Sequence, residues 1–131
     1  MQDKGFVIER DVLRAYNGKR WWIVIPPQVR MISARAFQGN KHLRRVIVSK
    51  DVEIIGAEAF ADCKHLRRVS GGQRLKSVGR RAFANCKKLK QVTFEAHVWD
   101  MASDAFADCK QVTVQQPNTP YSGERSQTCL K

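Results

Sequence analysis

The chain has 131 residues, which is enough for one domain or one short array of repeats. Its hydrophobic fraction of 43% is close to the globular average, and no stretch is long and apolar enough to cross a membrane. Lysine and arginine total 24 against 12 acidic residues, a formal net charge of +12 at pH 7. The first residues lack the basic region and apolar core of a signal peptide. We therefore expect a cytoplasmic protein if the chain is complete, and a cell-surface or secreted one if a leader was removed.

The first predicted element is a β-hairpin over residues 1–19. Two apolar runs, Phe6-Val7-Ile8 and Val12-Leu13, stand on either side of a polar turn, and Tyr16 follows. Because the terminal units of a repeat array need covering, we interpret this hairpin as a cap on the first repeat.

Residues 20–114 repeat with a fixed period. The dipeptide Ala-Phe occurs four times at intervals of 23 residues, at 36–37, 59–60, 82–83 and 105–106. Apolar residues at seven and four positions before each Ala-Phe, and a leucine and a valine after it, keep the same register. A period of this length is typical of a solenoid. The segment Lys-Gln-Val-Thr recurs at 90–93 and 110–113, which predicts that the last turn is three residues short.

Each unit is predicted to contain a short strand, a second extended piece and one or two helical turns around Ala-Phe. The predicted first strands, in which apolar residues alternate with others, are Ile23-Ile25, Val46-Val48, Val69-Gly71 and Val92-Phe94. Stacked units place equivalent residues in columns about 4.8 Å apart. A ladder of four phenylalanines should therefore run through the core: Phe37, Phe60, Phe83 and Phe106.

The repeat resembles the BspA-like class of leucine-rich repeats. Residues 52–66 match the pattern Val-x-x-Ile-Gly-x-x-Ala-Phe-x-x-Cys-x-x-Leu at every defining position, and the likeness extends from residue 6 to about 114. It implies an α/β solenoid: a right-handed array of four to five 23-residue units, with short strands on the concave face, helical turns opposite and an N-terminal β-hairpin cap. It also implies a non-enzymatic protein–protein interaction module without a cofactor. Asn40 in place of a cysteine and Ser70-Gly71-Gly72 in a strand depart from the pattern.

Three cysteines occupy the same interior position of the repeat. We interpret Cys63, Cys86 and Cys109 as buried free thiols that pack as small apolar groups. No Cys-x-x-Cys pair and no neighbouring histidine pair supports a metal site. Cys129, in the polar segment that follows the repeats, is the thiol expected to be exposed.

Basic residues recur between the interior Asn/Cys position and the strand valine. Four such segments hold ten lysines and arginines and no acid, which leaves the rest of the chain close to neutral at 14 basic and 12 acidic residues. Stacking aligns these ten residues in columns, and we call them the basic stripe: Lys41, Arg44, Arg45, Lys64, Arg67, Arg68, Lys87, Lys88, Lys90 and Lys110. His42 and His65 stack among them and would add charge at mildly acidic pH.

Two interpretations of the basic stripe stay open. It is either a solvated edge that keeps the array soluble or an anion-binding site. The one-sided charge favours a site, because solvated faces usually mix signs.

Trp21 and Trp22 lie at the first strand. They either close the core against the hairpin or stand exposed beside the arginines as recognition aromatics. We expect at least one of them to have the capping role.

Three functional classes follow from these features. The first is a module that binds a protein partner with an acidic patch. The second is salt-sensitive binding of a polyanion: nucleic acid, an anionic wall polymer or an acidic membrane surface. The third, an enzyme acting on a small-molecule substrate, has no supporting motif, because the sequence has no Gly-rich phosphate loop, no Gly-x-Ser-x-Gly and no His-Glu-x-x-His.

The C-terminal segment, residues 115–131, has almost no apolar residues and makes a poor cap. The last rung, that is, the last repeat unit in the stack, would then present an unpaired edge. A homodimer through this rung, or a longer array, would cover it.

Overall fold

The fold is a solenoid of about five turns, each about 23 residues long. The computed structural model describes residues 5–117. Eleven strands form in this part of the chain: β1 Phe6–Glu9, β2 Val12–Tyr16, β3 Trp22–Val24, β4 Met31–Ile32, β5 Arg45–Val48, β6 Ile54–Ile55, β7 Arg68–Gly71, β8 Ser77–Val78, β9 Gln91–Phe94, β10 Asp100–Met101 and β11 Thr113–Gln115.

The strands belong to two sheets that run along the solenoid. One sheet has the order β1-β2-β4-β6-β8-β10, and the other has the order β11-β9-β7-β5-β3. Every pair except β1–β2 is parallel. In the second sheet Trp22 pairs with Arg45, Arg45 with Arg68 and Arg68 with Gln91, so each residue pairs with its own equivalent in the next unit. The four predicted first strands all overlap observed strands of this sheet.

The core lies between the sheets and contains the predicted phenylalanine ladder. The ring centroids of Phe37 and Phe60 are 4.6 Å apart, those of Phe60 and Phe83 are 5.0 Å apart, and those of Phe83 and Phe106 are 5.1 Å apart. The planes differ by 9° or less, so the rings stack in parallel. The predicted column spacing is therefore confirmed within the core.

The predicted helical turns around Ala-Phe are absent from the part of the chain that the structure describes, which contains no helix. The reason lies in the backbone. Glu58 and Asp62 both adopt positive φ, 59° and 61°, so only three residues between them can be right-handed. The amides of Phe60 and Asp62 donate to the carbonyls of Ala82 and Ala84 in the next rung, at 2.7 and 2.9 Å. Bonds between rungs take the place of bonds along a helix.

The last turn is one residue short, and the prediction of three missing residues is wrong. Thr113 pairs with Gln91 and Val114 with Val92, so these partners lie one position closer along the chain than the partners in the earlier rungs. The repeated tetrapeptide misled the prediction, because Val114, and not Val112, continues the valine column. The pairing of strands fixes the register more strongly than the local identity of residues.

The glycines of the third unit do not interrupt its strand. β7 pairs with β5 and with β9 over its full length. Gly71 has φ 104°, and a Cβ there would lie 2.2 Å from the carbonyl oxygen of Val48. Glycine is required where the backbones of two rungs approach so closely.

The N-terminal segment forms an antiparallel hairpin from β1 and β2. β2 also pairs in parallel with β4, and Tyr16 packs against Phe37 with 5.3 Å between ring centroids and the two planes tilted by 34°. The hairpin therefore continues one sheet and the aromatic ladder. Its role as a cap stays a prediction, and residues 1–4 lie outside the described residues.

The described residues contain no helix that is long and apolar enough to span a membrane.

The position of a phenylalanine in the ladder should decide how much it stabilises the fold. Phe60 is fully buried between two rings, whereas Phe106 has a ring on one side and is partly exposed. We expect Phe60→Ala to lower the free energy of unfolding by about 3–5 kcal/mol, and Phe106→Ala to lower it by clearly less. Urea unfolding of both variants measures the difference, and equal losses would contradict this account of the ladder.

Candidate functional site

All ten residues of the basic stripe are exposed. The reason is local: in three of the four segments one leucine, Leu43, Leu66 or Leu89, is buried and anchors the segment to the core, and the shorter segment with Lys110 has no leucine. The residues on either side of that leucine point away from the core. The sequence thus fixes a basic surface next to the first residue of each strand in the second sheet.

The backbone under the basic stripe is hydrogen-bonded from rung to rung. The amide of Arg44 donates to the carbonyl of Trp21 at 2.6 Å, that of Arg67 to Arg44 at 2.8 Å, and that of Lys90 to Arg67 at 3.0 Å. These bonds hold equivalent cations at the spacing of paired strands. The positive charges are therefore presented at regular intervals.

A groove of about 650 Å³ opens at the N-terminal half of the basic stripe. The residues that line it carry one aromatic ring, basic groups and two imidazoles, without an acidic side chain: Lys19, Trp21, Lys41, His42, Arg44, Arg45, His65, Arg67 and Arg68. Five predicted stripe residues and Trp21 thus share one groove. The others do not line it: Lys64, Lys87, Lys88, Lys90, Lys110 and Trp22.

Lys19 was not among the predicted site residues. It lies two positions before Trp21, within the basic pair Lys19-Arg20. Its position beside the two tryptophans in the sequence is the signal that could have identified it.

Other columns of the solenoid pair opposite charges. Arg35 contacts Glu58 at 2.9 Å, Arg74 contacts Asp51 at 3.3 Å, and Lys76 contacts Glu53 at 3.7 Å. In each pair the partners hold equivalent positions of successive units, so they are neighbours in one column. Within residues 5–117, no stripe residue has an acidic oxygen within 4.0 Å. The basic stripe is therefore a run of unneutralised like charges beside columns that are neutralised.

Such a run costs little stability. Two unit charges about 5 Å apart in water repel by less than about 1 kcal/mol, and salt reduces this further. Long side chains also splay apart. The fold can therefore hold the basic stripe without a compensating acid.

Both tryptophans of the first strand are exposed, Trp21 by 59% and Trp22 by 41% of their surface. Their ring centroids lie 6.4 Å apart. Ile23, between two outward side chains, is the buried residue of this strand. The prediction that at least one tryptophan closes the core is wrong, because strand alternation turns Trp22 outward and Trp21 lies before the strand.

A second groove, of about 540 Å³, lies on the other sheet and was not predicted as a site. It contains the exposed residues Ile54 and Trp99, and His97 meets Trp99 edge-on with 4.5 Å between ring centroids. The charged residues here are mixed in sign and include the pair Glu53–Lys76. This groove differs from the first in having no excess of one charge.

The repeat cysteines form a column of thiols that donate to backbone carbonyls. The Sγ atoms of Cys63, Cys86 and Cys109 lie 3.2, 3.1 and 3.0 Å from carbonyl oxygens of the preceding rung. Burial raises the pKa of Cys63 to about 12. The neighbouring thiol of Cys109 and burial both raise the pKa of Cys86, and the neighbouring thiol of Cys86 lowers the pKa of Cys109 to about 7.

All three cysteines are free thiols, and Cys63 and Cys86 are buried as predicted. The prediction of burial is wrong for Cys109, which is partly exposed because no rung follows it in the described chain. Asn40 replaces the thiol in the first unit. Its Oδ1 accepts from the amides of His42 and Leu43 at 2.8 and 3.0 Å, and its Nδ2 donates to the carbonyl of Gly18. The described residues contain no group of three or more metal-ligating side chains. Cys129 lies outside the described residues.

The final rung is less buried than the others. Phe106, Met101, Val112 and Val114 pack against the core on one side only. β10 and β11 are the last strands of their sheets among the described residues. The homodimer through this rung stays a prediction.

The comparisons with known proteins identify the family. The profile of the BspA-type leucine-rich repeat region matches residues 15–123 in six copies, so the chain belongs to this family. Leucine-rich repeat proteins generally act as protein-binding modules and are typically not enzymes. No curated protein matches the sequence.

Several solved bacterial structures are similar to this chain. A leucine-rich repeat protein from Bacteroides capillosus is 27% identical with a TM-score of 0.75, and the match covers 90% of this chain and 98% of that one. The leucine-rich repeat protein of T. pallidum is 26% identical with a TM-score of 0.60, over 87% and 70% of the two chains. A leucine-rich cell surface protein from Faecalibacterium prausnitzii shares the fold, at 20% identity and a TM-score of 0.57, over 83% and 36%.

The thiol column predicts an order of chemical reactivity. In a Cys129→Ser background, an aromatic disulfide reagent should modify Cys109 in the native protein, because its thiol is partly exposed and its pKa is lowered. Cys63 and Cys86 should react only after unfolding. Mass spectrometry of peptides from briefly treated protein identifies the modified residue. Native-state modification of Cys63 as fast as that of Cys109 would contradict the assignment.

Proposed function

We propose that this chain is a non-enzymatic interaction module whose basic stripe binds an acidic patch on a protein partner. The observation that carries the proposal is the contrast between columns. Neighbouring rungs pair Arg35 with Glu58 and Lys76 with Glu53, whereas the basic stripe has no acidic neighbour among the described residues. Charges that the fold leaves unpaired are free to pair with a ligand.

The groove supports the same proposal. Arg44, Arg45, Arg67 and Arg68 converge beside the exposed ring of Trp21. Arginine binds carboxylates in a two-pronged geometry, and tryptophan and arginine are the residue types enriched at interaction hot spots. A surface with both suits a partner that offers carboxylates beside apolar groups.

The second candidate is a polyanion: nucleic acid, an anionic wall polymer or an acidic membrane surface. The like-charged columns favour it, because a regular row of cations suits a regular row of anionic groups. Affinity of this kind would come from counterion release and would fall steeply with salt.

The proposal includes the organisation of the chain and its compartment. Residues 1–19 serve as a cap, and residues 20–114 form the binding array. The polar residues 115–131 follow the array, and Gln115 is the last residue of β11. We place the protein at the cell surface or outside the cell. A relative of the same fold is described as a cell surface protein, and the cytoplasmic alternative has no support among the relatives.

The proposal also includes self-association through the last rung. A second copy would cover the half-buried side chains of Phe106 and Val114 and the edges of β10 and β11, which have no further strand beside them within residues 5–117. This contact is separate from the basic stripe.

Binding across a salt series tests the basic stripe. We expect the Arg44, Arg45, Arg67 and Arg68 to Gln variant to lose about tenfold or more in affinity for heparin and for an acidic protein at low salt, with a shallower salt slope. The matched control changes Arg14, Arg35, Arg74 and Arg80 to Gln. It removes the same four charges, but from arginines that are paired with acids in the fold.

The two ligands separate the two candidates. If the four-arginine variant loses affinity for the acidic protein alone, the result supports a protein partner. If it loses affinity for heparin alone, the result supports a polyanion. Equal affinity of both variants would reduce the basic stripe to a solubility feature.

A further inference from the structure

The two sheets of the solenoid end differently at the N-terminal side. The six-stranded sheet continues past the first rung through β2 and β1, whereas the five-stranded sheet ends at β3. Within residues 5–117, no strand pairs with the outer edge of β3. The hairpin therefore extends one sheet only, and β3 remains an edge strand.

The hydrogen bonds of β3 show which backbone groups face outward. The amide of Arg45 donates to the carbonyl of Trp21 at 3.0 Å, and the amide of Ile25 donates to the carbonyl of Ile47 at 2.9 Å. Residues 21 and 25 thus face β5. Because backbone groups alternate along a strand, the N–H and C=O groups of Trp22 and Val24 point to the open edge.

This edge lacks the features that usually block strand addition. Natural edge strands carry charges, prolines or bulges that prevent pairing. The residues of β3 itself, Trp22-Ile23-Val24, include no charge and no proline, although the strand is only three residues long and Pro26 and Pro27 follow it closely. The side chains of Trp22 and Val24 are 41% and 46% exposed. The edge strands β1 and β10 of the other sheet each contain an acidic residue, Glu9 and Asp100, whereas β11, at the far edge of the same sheet as β3, has no charged residue.

Charge decides what can pair with this edge. Lys19, Arg20, Arg44 and Arg45 lie beside it in the sequence or in the groove. A second copy of the chain would bring the same cations together, which disfavours self-pairing. An extended acidic segment would instead pair with both the backbone edge and the surrounding cations.

We propose that β3 binds an extended, acidic segment of a partner protein by strand addition. The partner's main chain bonds to the outward groups of Trp22 and Val24. Its side chains alternate, so one set lies beside the Trp22 and Val24 side chains as cross-strand neighbours. The acidic character rests on the proposed function, whereas the mode of binding rests on the edge itself.

Amide hydrogen exchange tests the proposal on the full chain. The probe is an end-capped eight-residue peptide that alternates glutamate with valine, and the same peptide with lysine for glutamate is its control. In the free protein the amides of Trp22 and Val24 should exchange fast, while that of Ile25 is protected by its bond to Ile47. The acidic peptide should slow exchange of the Trp22 and Val24 amides by about tenfold or more, and the lysine peptide should not.

Two variants separate the backbone from the side chain. Val24→Pro removes an outward N–H and leaves the bonds to β5 in place, so it should abolish peptide binding. Val24→Thr keeps the N–H and the branched shape and should bind within a few-fold of the original. Equal thermal midpoints establish that Val24→Pro is folded. If Val24→Pro is not folded, the effect of the acidic peptide on exchange of the Trp22 amide in the original chain decides whether strand addition occurs.

The outcomes distinguish the edge from the basic stripe. Binding that survives Val24→Pro but is lost when the four stripe arginines become glutamine would overturn strand addition and leave the proposed function standing. Slow exchange of Trp22 and Val24 in the free protein would show that another part of the chain or a second copy covers the edge, which also overturns it. Loss of peptide binding both in Val24→Pro and in the four-arginine variant supports strand addition together with the proposed function. Absence of any binding to the acidic peptide at millimolar concentration overturns strand addition, and retained affinity of the same preparation for acidic protein would confine the failure to the edge.

Discussion

Parallel pairing of strands between equivalent positions of successive repeats is the constraint on which the rest of this structure depends. It places every side chain next to its own equivalents in the neighbouring rungs, at the spacing of paired strands. The side chain at each repeat position therefore has to pack against copies of itself in the neighbouring rungs. Phenylalanine meets this condition by stacking, with rings 4.6 to 5.1 Å apart, and cysteine meets it by donating to a carbonyl of the preceding rung.

The same constraint means that the charged residues of each surface column either alternate in sign or repeat one sign. The columns of Arg35 and Glu58 and of Glu53 and Lys76 alternate in sign, and their members form ion pairs. The basic stripe repeats one sign, and its residues have no acidic contact in the described chain. Because the fold accommodates both solutions, packing does not explain the difference. The proposed function supplies a reason for it, since an anionic ligand would gain from a row of unpaired cations.

The period predicted the fold far better than it predicted the details of each turn. Apolar residues at fixed positions identified the strands and the phenylalanine ladder, because burial follows directly from hydrophobic spacing. The turns around Ala-Phe depend on the positive φ of Glu58 and Asp62, which residue type alone does not reveal for a glutamate. Of the two alternatives for Trp21 and Trp22, the sequence favoured the capping role, and the structure shows the exposed one. Strand alternation turns Trp22 outward, and the hairpin extends only the other sheet, so it does not cover either ring.

The most direct test of this account is a single substitution in the basic stripe, Arg67→Glu, studied by urea unfolding and by heparin binding. The variant places an acid between Arg44 and Lys90 in one column, as in the alternating columns elsewhere. If the stripe is kept for binding, stability should stay equal or rise by up to about 1 kcal/mol, while affinity for heparin should fall. Unchanged affinity together with lower stability would contradict the account, because it would show that the cations serve the fold.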